Sequence, residues 1–519
     1  MGVPEIASFD ETLLEPWRMR PARLWLRVGA VALKRAGAAL VAVAVLGGCG
    51  STQHPATMQF QSRPDLKPPV MTVVQQTDGA SDGYIFLAPK REAPQRGLEI
   101  VDQNGQPVWF RPVAGPDQAA DFRVQTYQGK RVLTWWEGPV ASPILGTAYG
   151  HYVITDTSYK QIARVEAGLG KDSGDLHEFR LTPRGTALIT LYKTVPGSLE
   201  SIGGPKKAKV ADSIVQEVDI KTGKVLFDWH SIGHVAIDES YIPLTGPGSP
   251  PAGNPYDYFH VNSVEEEPDG NLLVSARNTS TVYEIDRQTG DVLWRLGGKK
   301  SSFKMGPGTT FWWQHDARRH TDGTITLFDN GAAPPREKQS RALRLRLDMD
   351  ANTATLVQAD VSPDRVLAGS QGDMQVLDNG HAVVGWGAIP RVTEFDGAGK
   401  VVFDATFSEG DDSYRAYRFP WSATPAERPA IATAKGRGGL KTIYASWNGA
   451  TAVASWQVLA GDDRNRLQPV GEPQPRTGFE TILRANTNED FIAVQALDAG
   501  GAVLATSAAV PISGGLSTG

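Results

Sequence analysis

The chain has 519 residues, with 55 glycines and 35 prolines, and its 40% hydrophobic content falls in short runs, which favours many short strands and tight turns over helices. A net charge of −5 leaves no basic footprint for nucleic acid. The single cysteine, Cys49, excludes an intrachain disulfide or a cysteine-based metal site.

Arg18, Arg20, Arg23, Arg27, Lys34 and Arg35 precede an apolar run from Ala36 to Leu46, followed by Gly47-Gly48-Cys49. The run is too short to span a bilayer and suits the apolar core of an export signal. Leu46-Gly47-Gly48-Cys49 resembles a bacterial lipobox. Residues 1–48 are therefore expected to be a lipoprotein signal peptide, with Cys49 lipidated and the exported chain anchored to the outer face of the cell membrane. An ordinary cleaved signal with an incidental cysteine is the alternative. Glu5, Asp10, Glu11 and Glu15 are unusual for the start of a signal and suggest Met19 as the initiating residue. Residues 49–67, rich in Ser, Thr, Gln and Pro, read as a flexible tether.

From there a unit recurs: a strand ending in Asp, a short polar turn, and a second strand with large apolar residues. The aspartates are Asp102, Asp156, Asp219, Asp286, Asp348 and Asp396. Each can cap its turn through its own carboxylate. A second turn repeats as Thr182-Pro183-Arg184-Gly185, Pro268-Asp269-Gly270-Asn271, Thr321-Asp322-Gly323-Thr324 and Leu377-Asp378-Asn379-Gly380, where glycine supplies positive φ. Six copies, each with room for four short strands, predict a six-bladed β-propeller over residues 68–428. A Pro/Gly-rich loop around residues 244–255 is placed to cover one channel mouth. Alternating short strands over residues 429–513 predict a small C-terminal β-sandwich of fibronectin type III kind, read as a packing or spacer module, ahead of a disordered tail, 514–519. The expected fold class is all-β.

Inner strands of a propeller line its channel, so equivalent positions should converge. Those positions give Phe122-Arg123, Leu176-His177, Phe259-His260, Gln314-His315 and Gly372-Asp373. Three adjacent blades would thus offer His177, His260 and His315, flanked by Arg123 and Asp373. Imidazoles with an arginine suit a tetrahedral oxyanion, with one imidazole as nucleophile or acid/base. Three histidines and a carboxylate suit a transition metal. The bland alternative is that these histidines only tie strands together around a wet channel. His320 beside a turn is expected to be exposed. His54 falls in the tether, His151 opens an outer strand, and His230 and His234 fall at loops or strand ends.

Phe259-His260-Val261-Asn262-Ser263 with Ser275-Ala276-Arg277-Asn278, Tyr283-Glu284-Ile285-Asp286 and Trp294-Arg295-Leu296-Gly297 resembles the arylsulfotransferase family. So does Gln314-His315-Asp316-Ala317 followed by Phe328-Asp329-Asn330-Gly331 and Ser340-Arg341. The resemblance implies an exported six-bladed propeller that moves a sulfuryl group from a phenolic sulfate ester to a phenol through a sulfohistidine, with no nucleotide donor and no cofactor. It implies small aromatic partners, and His260 and His315 as contacts to the sulfuryl group. Arg336 takes the place of the family arginine, with Arg341 as fallback. His177, Asn262, Trp313 and Tyr258 are candidates for binding substrate, and Trp312 could also stack on its ring. The family nucleophile is a later histidine, and only His381 follows His320; its place after Asn379-Gly380 points it away from the channel. Two other readings stand beside this one: a catalytically silent propeller that binds a ligand or partner at the cell envelope, and a metal-dependent propeller enzyme.

Overall fold

All six predicted Asp turns form as expected, each carboxylate accepting backbone N–H groups of its own turn. Asp102 accepts from Asn104 and Gln106, Asp156 from Ser158 and Lys160, and Asp219 from Thr222. Asp286, Asp348 and Asp396 do the same, for Gln288, Asp350 and Ala398 among others. The hairpins also share a register shift just before or a few residues before the aspartate, as at Ile100/Val101, Glu284/Ile285 and Glu394/Phe395. This computed structural model describes residues 57–93, 95–142, 146–435 and 439–512. The expected signal peptide with Met19, Cys49 and His54, and the tail 514–519, lie outside the described residues.

The chain is all-β, built from antiparallel sheets with two short 3-10 turns among the described residues. No described helix is long and apolar enough to cross a membrane. Six sheets follow in chain order. Sheet I holds Tyr84–Leu87, Gly97–Val101 and Pro107–Pro112; sheet II, Asp117–Tyr127, Lys130–Ser142, His151–Thr155 and Gln161–Val165. Sheet III holds Phe179–Leu181, Thr186–Gly197, Ala208–Asp219 and Val225–His230; sheet IV, Val261–Glu266, Leu272–Ala276, Thr281–Ile285 and Val292–Gly297. Sheet V holds His315–Arg319, Thr324–Asp329, Arg341–Asp348 and Thr353–Val361; sheet VI, Asp373–Val376, Ala382–Gly385, Arg391–Phe395 and Val401–Thr406. Two further strands come from far along the chain. Tyr417–Phe419 pairs with Tyr84–Leu87 of sheet I, and Thr72–Gln76 pairs with Val401–Thr406 of sheet VI.

Middle strands such as Leu272–Ala276 and Thr281–Ile285 are buried at every residue. A sheet covered on both faces reads as an apolar run rather than an alternation. Val264 and Val274 of sheet IV pack on Leu188 and Val215 of sheet III, while Leu273 and Val282 pack on Ile325 and Leu343 of sheet V. The same holds between I and II, II and III, and V and VI. Sheet VI in turn meets sheet I, with Val383, Val392 and Phe403 against Ile85, Leu87 and Val101.

The inner edges of all six sheets meet at one buried cluster of charge. Glu178 accepts from Arg123, from Arg318 at 2.6 Å and from Arg415 at 3.2 Å. Asp121 pairs with Arg123 at 3.0 Å and Arg415 at 2.8 Å, and Asp316 pairs with Arg318 at 2.6 Å. Asp373 accepts the Ala416 N–H at 2.9 Å, and Asn262 offers its carbonyl to Arg415 at 3.0 Å. Burial opposes ionisation of Glu178, but the three arginines outweigh it and hold its carboxyl well below the ordinary range. Burial, with Asp316 nearby, drives Asp373 well above it. Arg123 and Asp373, expected beside the histidines, therefore belong to this hub. Bulges in the inner strands, at Ala120/Arg123, Val261/Ser263 and His315/Arg318, break the simple alternation that would have aimed equivalent residues alike.

The tether expectation is corrected from Thr57 onward. Phe60 stacks on Phe479 with ring centroids 4.3 Å apart, and Leu66 is buried beside them and Phe110. Two isolated apolar residues in a polar stretch have no periodicity to betray them. Past sheet VI, Ala430–Lys435, Leu440–Ser446 and Glu480–Asn486 form a three-stranded sheet. It shares a core, including Ile443, Trp456, Val458, Leu483 and Val494, with a second sheet built on Ser455–Gly461 and Phe491–Leu497. This region docks on the outer strand of sheet I, where Asn448 exchanges two hydrogen bonds of 2.9 Å with the Phe110 backbone.

Candidate active site

A cavity of about 850 Å³ brings together His177, His260, His315, Arg277 and Tyr414. His177 is supplied by the segment leading into sheet III, and His260 and His315 open sheets IV and V. The His177 and His260 rings stand nearly perpendicular, 4.9 Å between centroids, and Tyr414 lies 5.5 Å from His177 and 6.5 Å from His315. His260 holds a left-handed backbone, φ 58°. A non-glycine residue pays for that conformation, and such strain gathers at functional sites.

Two of the histidines are seated on aspartates. Nδ1 of His260 bonds Asp257 Oδ2 at 2.5 Å, and Nδ1 of His177 bonds Asp175. With its proton on Nδ1, His260 keeps the Nε2 lone pair free for the cavity. Burial lowers the His260 pKa in spite of Asp257, so the ring is neutral at neutral pH. Asn330 donates its amide to two backbone carbonyls, of Ala368 and Gln371, which leaves Oδ1 to accept the His315 Nδ1 proton at 2.7 Å. Nε2 of His315 then accepts the Gln371 N–H at 3.3 Å. Burial, with Arg277 close by, holds His315 well below the ordinary histidine value.

Arg277 sits in the turn between the second and third strands of sheet IV, and its N–H donates to the His260 carbonyl at 2.9 Å, which fixes the two residues together. Its guanidinium lies over the Trp313 ring at 5.2 Å and donates to Asn278 and the Ala333 carbonyl. No carboxylate of the described residues forms an ion pair with it. Burial pushes it down to about 10, so it remains a cation at neutral pH. A cation fixed by neutral partners beside three imidazoles is suited to hold an oxyanion. Among the described residues, no three His, Cys, Asp or Glu side chains are grouped to hold a metal ion.

The sequence profile of the arylsulfotransferase (ASST) family matches residues 123–408, just over half the chain. The chain belongs to the arylsulfotransferase family. No curated protein matches it. Solved structures similar to this arylsulfotransferase-family chain include a protein of unknown function from Bacteroides caccae, 15% identical, covering 64% of this chain and 98% of that one with a TM-score of 0.39. Another is virginiamycin B lyase from Staphylococcus aureus, 11% identical, covering 73% and 96% with a TM-score of 0.31. A protein of unknown function from Dyadobacter fermentans is 10% identical, covering 81% and 99% with a TM-score of 0.30. Similarities this distant carry no weight for the reaction.

Within this family member, His177, His260 and His315 line the cavity, and the other expected site residues do not. Arg336 is exposed and lies over Trp312 at 5.0 Å. Arg341 is tied to Asp329 at 2.5 Å. Asn262 faces the hub, its amide donating to the Gln314 carbonyl. Tyr258 is buried in the core against Phe259, and Trp313 backs Arg277 from behind with its N–H on the Pro334 carbonyl. His381 faces away, as expected, bonded to Glu394 at 2.8 Å, and His320 is half-buried against Thr326 rather than exposed. The segment ahead of sheet VI brings Gln371, and no histidine, to the cavity. Arg277, Asp175, Asp257 and Tyr414 were missed. Arg277 lies inside the family-like Ser275–Asn278 stretch, and Asp175 and Asp257 stand two and three residues before their histidines, a spacing that is itself a signal. The loop 244–255 does reach the cavity, through Gly248, Ser249, Pro250 and Pro251.

Proposed function

We propose that this chain is an exported six-bladed β-propeller enzyme that transfers a sulfuryl group from a phenolic sulfate ester to a phenol. Six sheets packed in succession, with VI on I, support the propeller over residues 68–428, and the shared core of the last two sheets supports a β-sandwich over 429–513. Export and the lipid anchor at Cys49 rest on the lipobox-like sequence alone. The observation that carries the reaction is the meeting of three histidines with an arginine free of any ion pair among the described residues, in one cavity of a family member.

His260 is the nucleophile in this reading, since its Nδ1 proton is fixed on Asp257 and its Nε2 lone pair is open. Nε2 forms a bond to sulfur as the bond from sulfur to the aryl oxygen breaks. His177, oriented by Asp175, gives the leaving oxygen a proton. The acceptor phenol then attacks sulfur, the sulfur–nitrogen bond breaks, and the phenol's proton passes to His177, which restores the starting state. Arg277 neutralises the sulfuryl oxygens, whose charge it meets best as the group flattens between donor and acceptor. The test is transfer from 4-nitrophenyl sulfate to a phenol, with mass spectrometry of the protein under non-acidic conditions. A sulfated His260 and loss of turnover in His260→Ala are expected. A phenol that binds without covalent labelling or turnover would favour the silent binding propeller instead.

A further inference from the structure

Four cations line the cavity, Lys90, Arg91, Arg96 and Arg277, against two carboxylates, Asp257 and Asp412, and this in a chain of net charge −5. Both carboxylates are committed. Asp257 holds His260, and Asp412 holds Lys90 at 2.6 Å and Arg91 at 3.1 Å. The surplus charge therefore lies at two places. One is Arg277, at the histidines. The other is Arg96, half-buried at the entry to Gly97–Val101 of sheet I, whose side chain has no ion-pair or hydrogen-bond partner among the described residues. Sheets I and IV stand three apart in the succession of six, so the two arginines approach the cavity from different walls.

An aryl sulfate monoester carries a single negative charge, and Arg277 meets it. Nothing in that substrate answers Arg96. The same cavity is lined by apolar surfaces, Val140, Leu176 and Ile242, of a kind that takes an aromatic ring. We propose that Arg96, supported by Arg91, is a second anion subsite, and that the phenol this enzyme sulfates carries a carboxylate of its own. The identity of that ligand as the acceptor rests on the transfer reading; the subsite itself does not. A planar guanidinium with no partner is matched to a carboxylate by two parallel hydrogen bonds. Arg91 is largely exposed and already shares Asp412, so Arg96 carries most of the preference.

The full chain is assayed with 4-nitrophenyl sulfate as donor and either 4-hydroxyphenylacetate or its neutral amide as acceptor. The acid is expected to be favoured by about tenfold in kcat/KM, through KM, and less so as salt is raised. Arg96→Gln brings the acid down to the level of the amide, while Arg96→Lys keeps part of the preference. Equal use of acid and amide by the native protein, or a preference that survives Arg96→Gln, overturns the proposal. If no phenol is sulfated at all, the transfer reading fails, and calorimetric binding of the same two compounds decides the subsite. Tighter binding of the acid that is lost in Arg96→Gln sustains it, and equal binding overturns it.

Discussion

The molecule carries two concentrations of charge, the hub and the cavity, and they are balanced in opposite ways. In the hub, three arginines face carboxylates that answer them, Asp121, Glu178 and Asp316, and every arginine meets at least two of these. In the cavity, positive charge outnumbers negative, and Arg277 rests on an aromatic face and on neutral oxygens. Buried charge that is fully paired serves the fold, because removing one partner leaves another stranded. Charge left unpaired is held for something that arrives later. The first strands of sheets IV and V serve both regions, with His260 and His315 at the cavity and Asn262, Asp316 and Arg318 at the hub, and bulges separate the two sets.

The largest expected effect comes from breaking the hub. Glu178→Gln leaves three buried arginines short of a countercharge and should cost about 3–5 kcal/mol in a denaturation midpoint; a change within error would mean that the hub is not balanced as described. On the cavity side, Asp257→Asn should leave the melting temperature near native but lower kcat by about a hundredfold, since His260 loses the partner that fixes its proton on Nδ1. Arg277→Gln should lower kcat/KM for the aryl sulfate by about ten- to a hundredfold, with Arg277→Lys less affected, which steady-state kinetics would read directly. Acidity distinguishes the regions next. His260 and His315 have pKa values below the ordinary 6.5, so the neutral imidazoles persist through neutral pH and the acid limb of the rate should have its midpoint below 6.5. Their burial as neutral groups also favours the folded state above about 6.5 and loses that advantage as pH falls toward their lowered values. Glu178, with a pKa lowered from 4.5, adds stability that disappears only in stronger acid. The smallest effect is at the docked C-terminal region, where Asn448→Ala removes two hydrogen bonds to Phe110 and should cost about 1–2 kcal/mol without changing turnover.

Most of the fold was legible because its repeat is written in short-range chemistry. An Asp that caps its own turn is a local event, and all six behave as their sequence implies. The three histidines were legible through the phase of that repeat. What stayed hidden depends on long-range geometry. A bulge cannot be read from alternation, so Arg123 and Asp373 were expected in the cavity when they belong to the hub. Arg336 follows the Phe328-Asp329-Asn330-Gly331 turn in sequence, but the chain carries it out over Trp312. Arg277 acquires its place only when the turn after Ala276 bonds back to His260, contact that no spacing announces.

The stretch 414–419 has a consequence for how the protein comes into being. Within six residues it gives Tyr414 to the cavity, Arg415 to the hub and Tyr417–Phe419 to the inner edge of sheet I. Sheet I is begun more than three hundred residues earlier and waits for this segment to complete it. During synthesis the hub therefore remains short of a cation, the cavity short of Tyr414 and sheet I short of its edge strand until residues 414–419 emerge. Activity should arrive in a single step, once Tyr417–Phe419 has paired with Tyr84–Leu87.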